Sequence, residues 1–234
     1  MGKKFHKSLI AVIAAVLIVM LGLSVSAKED TKELDVLFVH DTHSHLTEFA
    51  TVEDGESQIM GGFAKIKTLI NKKLEENKDT LILDAGDFSM GTLVQVVFEE
   101  EASEIRMLGN LGVEVTTLGN HEFDYRAKGL ANMMNNAVAS GDVLPEMVIS
   151  NVDWDAMNAA GLTKDQQMLL DAFDNFGVKE YVVLEKGEVR VAVTGLFGKD
   201  CLACVVAPPL VFEEPVEAMK ETVAKIKANE DVDM

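Results

Sequence analysis

Three short apolar runs in this chain each empty directly into a loop rich in His, Asp or Asn. Leu34 to Val39 stops at His40-Asp-Thr-His-Ser-His45, Thr80 to Leu83 runs into Asp84-Ala-Gly-Asp87, and Val113 to Leu118 gives way to Gly119-Asn-His-Glu-Phe-Asp124. Runs of this length read as strands, and the abrupt change to polar residues places the reactive side chains at strand ends. Helical patterns fill the gaps. Phe63, Ile66, Leu69, Ile70 and Leu74 recur at three- and four-residue steps after Gly61-Gly62, ending at Asn77; Ile105, Leu108 and Leu111 mark a helix beginning near Glu99. Strands alternating with helices predict an α/β fold with a substantially parallel sheet, whose ligands gather outside the carboxyl ends of the strands.

The rest of the chain is less regular. Residues 47–60 are polar and acidic and read as loop, and Leu130, Met133, Met134 and Ala137 give a helix after Ala127. Met147 to Ile149 is a brief strand, and residues 153–176 read as an insertion with one or two short helices. Tyr181 to Leu184 and Val189 to Thr194 flank Glu185-Lys-Gly-Glu188 as a hairpin, and Val216, Met219, Val223 and Ile226 mark a last amphipathic helix. Asp231-Val-Asp-Met234 reads as the start of a further element.

Composition narrows the function classes. Lys and Arg total 21 against 39 Asp and Glu, for a net charge of -18. Lys3, Lys4 and Lys7 precede an apolar run from Leu9 to Val25, and Val25-Ser-Ala27 supplies the small residues of a signal-peptidase site. Residues 1–27 are therefore expected to be a cleaved export signal, with a retained membrane anchor as the alternative. Removing them takes away three basic residues and no acid, so the body stands at -21. A body this acidic is poorly suited to tracking a DNA or RNA backbone, and it tolerates divalent cations well. Cys201 and Cys204, the only cysteines, are read as a small local disulfide or as two unpaired residues.

All four histidines beyond residue 27, His40, His43, His45 and His121, sit in two of the strand-end clusters. Asp41 and His43 offer one hard oxygen and one imidazole toward a common point; Asp87 follows Gly86 on the neighbouring strand end; Asn120 and His121 follow the third. Oxygen and imidazole donors suit zinc, iron, manganese or cobalt better than calcium. Taken singly, each Asp or Asn reads as a solvated turn residue. Taken together, converging acidic loops repel one another unless a cation joins them.

These blocks, His40 to His45, Asp84-Ala-Gly-Asp-Phe-Ser-Met-Gly91 and Gly119 to Asp124, resemble the first three signature blocks of the calcineurin-like metallophosphoesterases, and more narrowly the bacterial 5'-nucleotidase and 2',3'-cyclic phosphodiesterase branch. The resemblance runs from about Leu34 onward and includes Gly195-Leu-Phe-Gly198. It implies a layered α/β sandwich with two divalent metal ions at strand ends. It implies further that Asp41 and His43 bind the first metal, that Asp87 bridges both, and that Asn120 binds the second. His121 is implied as the residue that protonates the leaving alkoxide or steadies the phosphoryl oxygens, with Asp124 holding its ring; His45 stays outside the ligand set. The implied activity is hydrolysis of phosphate esters such as nucleoside 5'-monophosphates or cyclic nucleotides, by an exported protein that is periplasmic, surface-bound or extracellular.

One departure stands out. The family brings further histidines on later strands, whereas this chain has none after position 121. Residues 28–234 are accordingly read as the N-terminal part of a metallophosphoesterase domain that stops before the later histidine motifs. The alternative is an exported metal-binding or interaction protein that keeps the fold without catalysis.

Overall fold

Among the described residues, 31–234 of this computed structural model, eight strands run in chain order: β1 (Val36–Val39), β2 (Phe49–Glu53), β3 (Glu56–Met60), β4 (Leu81–Asp84), β5 (Val115–Thr116), β6 (Glu146–Met147), β7 (Tyr181–Lys186) and β8 (Val189–Thr194). β1, β4, β5 and β6 form one parallel sheet in that order, with Val36 opposite Leu81 and Val115 opposite Glu146. The predicted parallel α/β sheet is thus present. The export-signal and anchor readings fall on residues 1–27, outside the described residues.

Alternation along the sheet strands separates two packed faces. Ile82 and Met147 enter the main core with helix residues such as Phe63, Ile70, Leu108 and Leu130. Leu81, Val115 and Val148 point the other way and pack against Val182, Val189 and Val191 of the antiparallel β7–β8 hairpin. The layers are therefore helices, parallel sheet and hairpin. Burial on both faces explains why β4 reads as an unbroken apolar run.

The helices are α1 (Phe63–Glu76), α2 (Phe98–Glu101), α3 (Ser103–Leu111), α4 (Arg126–Ser140), α5 (Trp154–Ala160), α6 (Lys164–Phe176), α7 (Lys199–Cys204) and α8 (Pro215–Asn229). Three expectations need correction. The single helix expected from Glu99 is two, because buried Ala102 takes a left-handed turn at φ 48 between them. Residues 47–60 are not loop but a hairpin, turned at Asp54 (φ 52) and Gly55 (φ 83), where a tight two-residue turn needs positive φ. Residues 153–176 are more than an insertion, since Leu169, Ala172 and Phe173 of α6 are buried in the main core.

Residues 231–234 continue the structure along β8, where Asp233 N donates to Arg190 O at 2.7 Å and Ala192 N to Met234 O at 2.8 Å.

Gly109 in α3 gives a direct test of this packing. A Cβ there would meet Val143 O at 1.9 Å, a backbone atom with nowhere to yield. Gly to Ala inside a helix ordinarily stabilises by about 1 kcal/mol. Gly109→Ala is expected to reverse that sign and destabilise by about 1–3 kcal/mol through overpacking, read as a lower urea midpoint.

Candidate metal centre

The first two polar loops meet at the carboxyl edge of the sheet because their backbones bond to each other, and the third joins them through the Asp87 and Glu122 carboxylates. Asp41 N donates to Gly86 O at 3.1 Å, His43 N to Asp87 O at 3.0 Å and Ser44 N to Phe88 O at 2.8 Å. Ser44 Oγ also donates to buried Glu104 of α3 at 2.7 Å. Asp41 (φ 50), His43 (φ 44) and Asp87 (φ 52) all hold left-handed backbone, unusual for residues with a Cβ and costing roughly 1–2 kcal/mol each. The loops also need two glycines. A Cβ on Gly86 would meet Gly119 N at 2.4 Å, and one on Gly119 would meet Asp87 Oδ1 at 2.1 Å.

His43, Asp87 and His121 each bring one donor atom to within 4.8 Å of the others. Asp41 lies beside this group, with its Oδ1 at 3.7 Å from His43 Nε2 and its other oxygen bonded to His40. Asn120, with its amide nitrogen turned toward Asp87, donates to Asp87 Oδ2 at 3.3 Å and accepts from His121 N at 3.3 Å. Asp124 accepts from His121 Nδ1 at 2.8 Å. Every residue singled out from the sequence therefore stands in one neighbourhood. His45 stands apart, its ring packed against Phe49 at 5.4 Å.

Hydrogen bonding fixes both imidazoles. His43 Nδ1 faces only carbonyl oxygens, Ser89 O at 3.2 Å and Met90 O at 3.0 Å. Carbonyls accept only, so Nδ1 carries the proton and Nε2 presents its lone pair. This is the arrangement in which a histidine serves as a metal ligand, its second nitrogen tied to a carbonyl. One nitrogen lone pair beside two carboxylates is a donor set that fits a borderline divalent cation.

Sequence reasoning missed Glu122, which organises the floor of the site. It is fully buried, and its carboxylate accepts from Gly119 N (2.7 Å), Ser89 Oγ (2.8 Å), Ser89 N (2.9 Å) and Asp87 N (3.1 Å). Burial pushes its pKa up, against the pull of the Ser89 donors. No local signal marks it, because its burial comes from the second and third loops folding over it. Asp84 was also unassigned. It accepts from Thr116 Oγ1 at 2.6 Å and Gly86 N at 3.0 Å through one oxygen, while its other oxygen has no partner among the described residues. Burial pushes this carboxyl up to about 7.

The chain belongs to the calcineurin-like phosphoesterase family, whose model matches residues 34–193. It is 31% identical over 150 residues to the "Probable 5'-nucleotidase" of Treponema pallidum, covering 62% of this chain and 24% of that one. It is 28% identical to the trifunctional nucleotide phosphoesterase protein YfkN of Bacillus subtilis, covering 88% of this chain and 14% of the relative. Among solved structures, a 5'-nucleotidase precursor from Thermus thermophilus superposes with a TM-score of 0.64 at 26% identity, over 83% of this chain and 34% of the other. The chain thus spans well under half the length of these relatives.

Cys201 and Cys204 on α7 are free thiols, the first half-buried and the second exposed. Burial and the nearby Asp87 carboxylate push the Cys201 thiol up.

Two substitutions test the floor of the site. Glu122→Gln turns an amide N–H toward backbone N–H donors and is expected to destabilise by about 2–4 kcal/mol in urea unfolding. Asp84→Asn keeps the Thr116 and Gly86 bonds through its oxygen. Aspartate ordinarily titrates near 3.8, so between there and about 7 the folded chain holds a proton the unfolded chain has lost. Stability from this group is complete below about pH 4 and lost as pH rises through about 7. Asp84→Asn is expected to flatten that fall and to gain about 1–3 kcal/mol at pH 8 relative to pH 5, measured in chelator.

Proposed function

We propose that this chain carries out metal-dependent hydrolysis of phosphate esters of the nucleotide type, in an exported setting. Asp41, His43 and Asp87 are assigned to a first divalent cation, and Asp87 with Asn120 to a second. The observation that carries the reading is the convergence of His43, Asp87 and His121 donor atoms within 4.8 Å, flanked by Asp41 and Asn120. Family membership and the nucleotidase relatives support the substrate class. The basic and apolar residues 1–27 support export.

Bound divalent cations supply charge neutralisation at the phosphate and a lowered pKa for the attacking water. The protein's own part is positioning and proton transfer. Asp124 holds Nδ1 of His121, which leaves Nε2 to face the ester. In its protonated form that nitrogen donates to the departing alkoxide oxygen. Asp124 fixes the ring direction. Asp87 keeps its aim because His121 N donates to its Oδ1 at 2.9 Å and Glu122 holds its own backbone N–H.

A non-catalytic metal-binding role is the second reading, since a convergent set of donor atoms can hold a cation without turnover. Phosphate release from AMP and from 2',3'-cyclic nucleotides, with zinc or manganese restored, separates the two. The expected outcome is turnover that falls about 10²–10⁴-fold in His121→Ala with bound metal unchanged, and metal content that falls in Asp87→Asn. Metal binding without turnover on either substrate class would leave the non-catalytic reading standing. A loss of metal in His121→Ala would move His121 into the ligand set.

A further inference from the structure

Of the four histidines at the strand ends, His43 and His121 face the cation site and His45 packs on Phe49, which leaves His40 without a role. Its ring is exposed and tilted against exposed Phe38, 5.7 Å between centroids, so it supports no buried core. What it does touch is a carboxylate: His40 Nδ1 meets Asp41 Oδ2. A carboxylate only accepts, so Nδ1 carries the proton and donates.

The two oxygens of Asp41 thereby take different tasks. Oδ2 is held by His40, and Oδ1 stands 3.7 Å from His43 Nε2, the nitrogen whose lone pair is free for a cation. Two donors at that separation can both reach one ion, because twice a zinc–ligand distance of about 2.0–2.2 Å exceeds it.

Rotamer preference alone does not set this division. The last torsion of an aspartate is broad and roughly two-fold, so the plane of its carboxylate needs an outside bond to fix it. The backbone beneath is fixed already, with Asp41 N donating to Gly86 O at 3.1 Å. Each neighbouring donor has a holder of its own. Ser89 O and Met90 O hold His43, His121 N holds Asp87, and Asp124 holds His121. We propose that His40 is the positioning residue of Asp41: its Nδ1–H holds one carboxylate oxygen and turns the other toward the first cation. This rests on the assignment of Asp41 to that cation. Partners that orient a ligating group ordinarily contribute about 10–100-fold in metal affinity.

Zinc affinity of the whole chain, measured by competition with a chromophoric chelator, tests the proposal without any turnover. His40→Ala is expected to weaken binding about 10–100-fold while its urea midpoint in chelator stays the same, since only an exposed ring is removed. His40→Asn is expected to restore most of the affinity, because its amide nitrogen stands at the same remove from Cβ as Nδ1 and donates as Nδ1 does. In an Asp41→Ala background, His40→Ala is expected to change affinity by about twofold or less. Unchanged affinity in His40→Ala overturns the proposal, as does an equal loss in His40→Asn. A full further loss in the Asp41→Ala background overturns it in favour of His40 as a ligand itself. Failure of the wild-type chain to bind zinc or manganese overturns the cation assignment, and His40 then has nothing to position.

Discussion

The Glu122 carboxylate is the joint on which the polar edge of the sheet depends. One buried anion accepts four hydrogen bonds from two different strand-end loops, two of them from Ser89 and one each from Asp87 and Gly119. A carboxylate removed from water is expensive unless its lone pairs are filled, and here backbone N–H groups fill them in a fixed direction. The same bonds offset the left-handed backbone at Asp87 and set the distance between the second and third loops. Ser44 and Glu104 repeat the arrangement on the other side, tying the first loop to α3. The exposed, charged edge is thus held from beneath by buried, charged partners. Replacing either partner would loosen groups that never touch it.

This layering explains which parts of the molecule were legible in the sequence. Strand ends were readable because β4 is buried on both faces and its apolar run stops sharply at Asp84. The residues of the site were readable because histidine is rare here and confined to two clusters. Helix α1 and the β7–β8 hairpin followed from periodicity and from Lys186-Gly187 between two apolar runs. The β2–β3 hairpin was hidden for a physical reason. Nearly every residue in it is exposed, so it has no buried face to impose alternation, and only the Asp54-Gly55 turn marked it. The break at Ala102 was hidden too, because alanine carries no sign of positive φ.

What the sequence could not convey was partnership. Glu122 and Asp124 are both acids within one short block, and composition treats them alike. The fold buries the first under two loops and leaves the second beside an imidazole. Likewise the proton on His43 is placed by carbonyls 46 and 47 residues away, at Ser89 and Met90. Such assignments follow from long-range contacts that no local window contains. They are nonetheless the contacts that decide which nitrogen binds and which donates.

Acidity is general to this protein, yet its chemical consequence differs by place. At the sheet edge, backbone bonds draw Asp41 and Asp87 close to two imidazoles, and repulsion between the acids is relieved only by a compact, multiply charged ion. Beside α8, the carboxylates of Asp155, Glu180, Glu213 and Glu221 line a cleft instead, and Glu180 is already paired with Lys225. Coulomb energy falls with distance, so the close approach of donor atoms, rather than the number of acids, marks the sheet edge as the place for a cation. The backbone controls that separation. Left-handed turns and paired glycines pinch the sheet-edge site together.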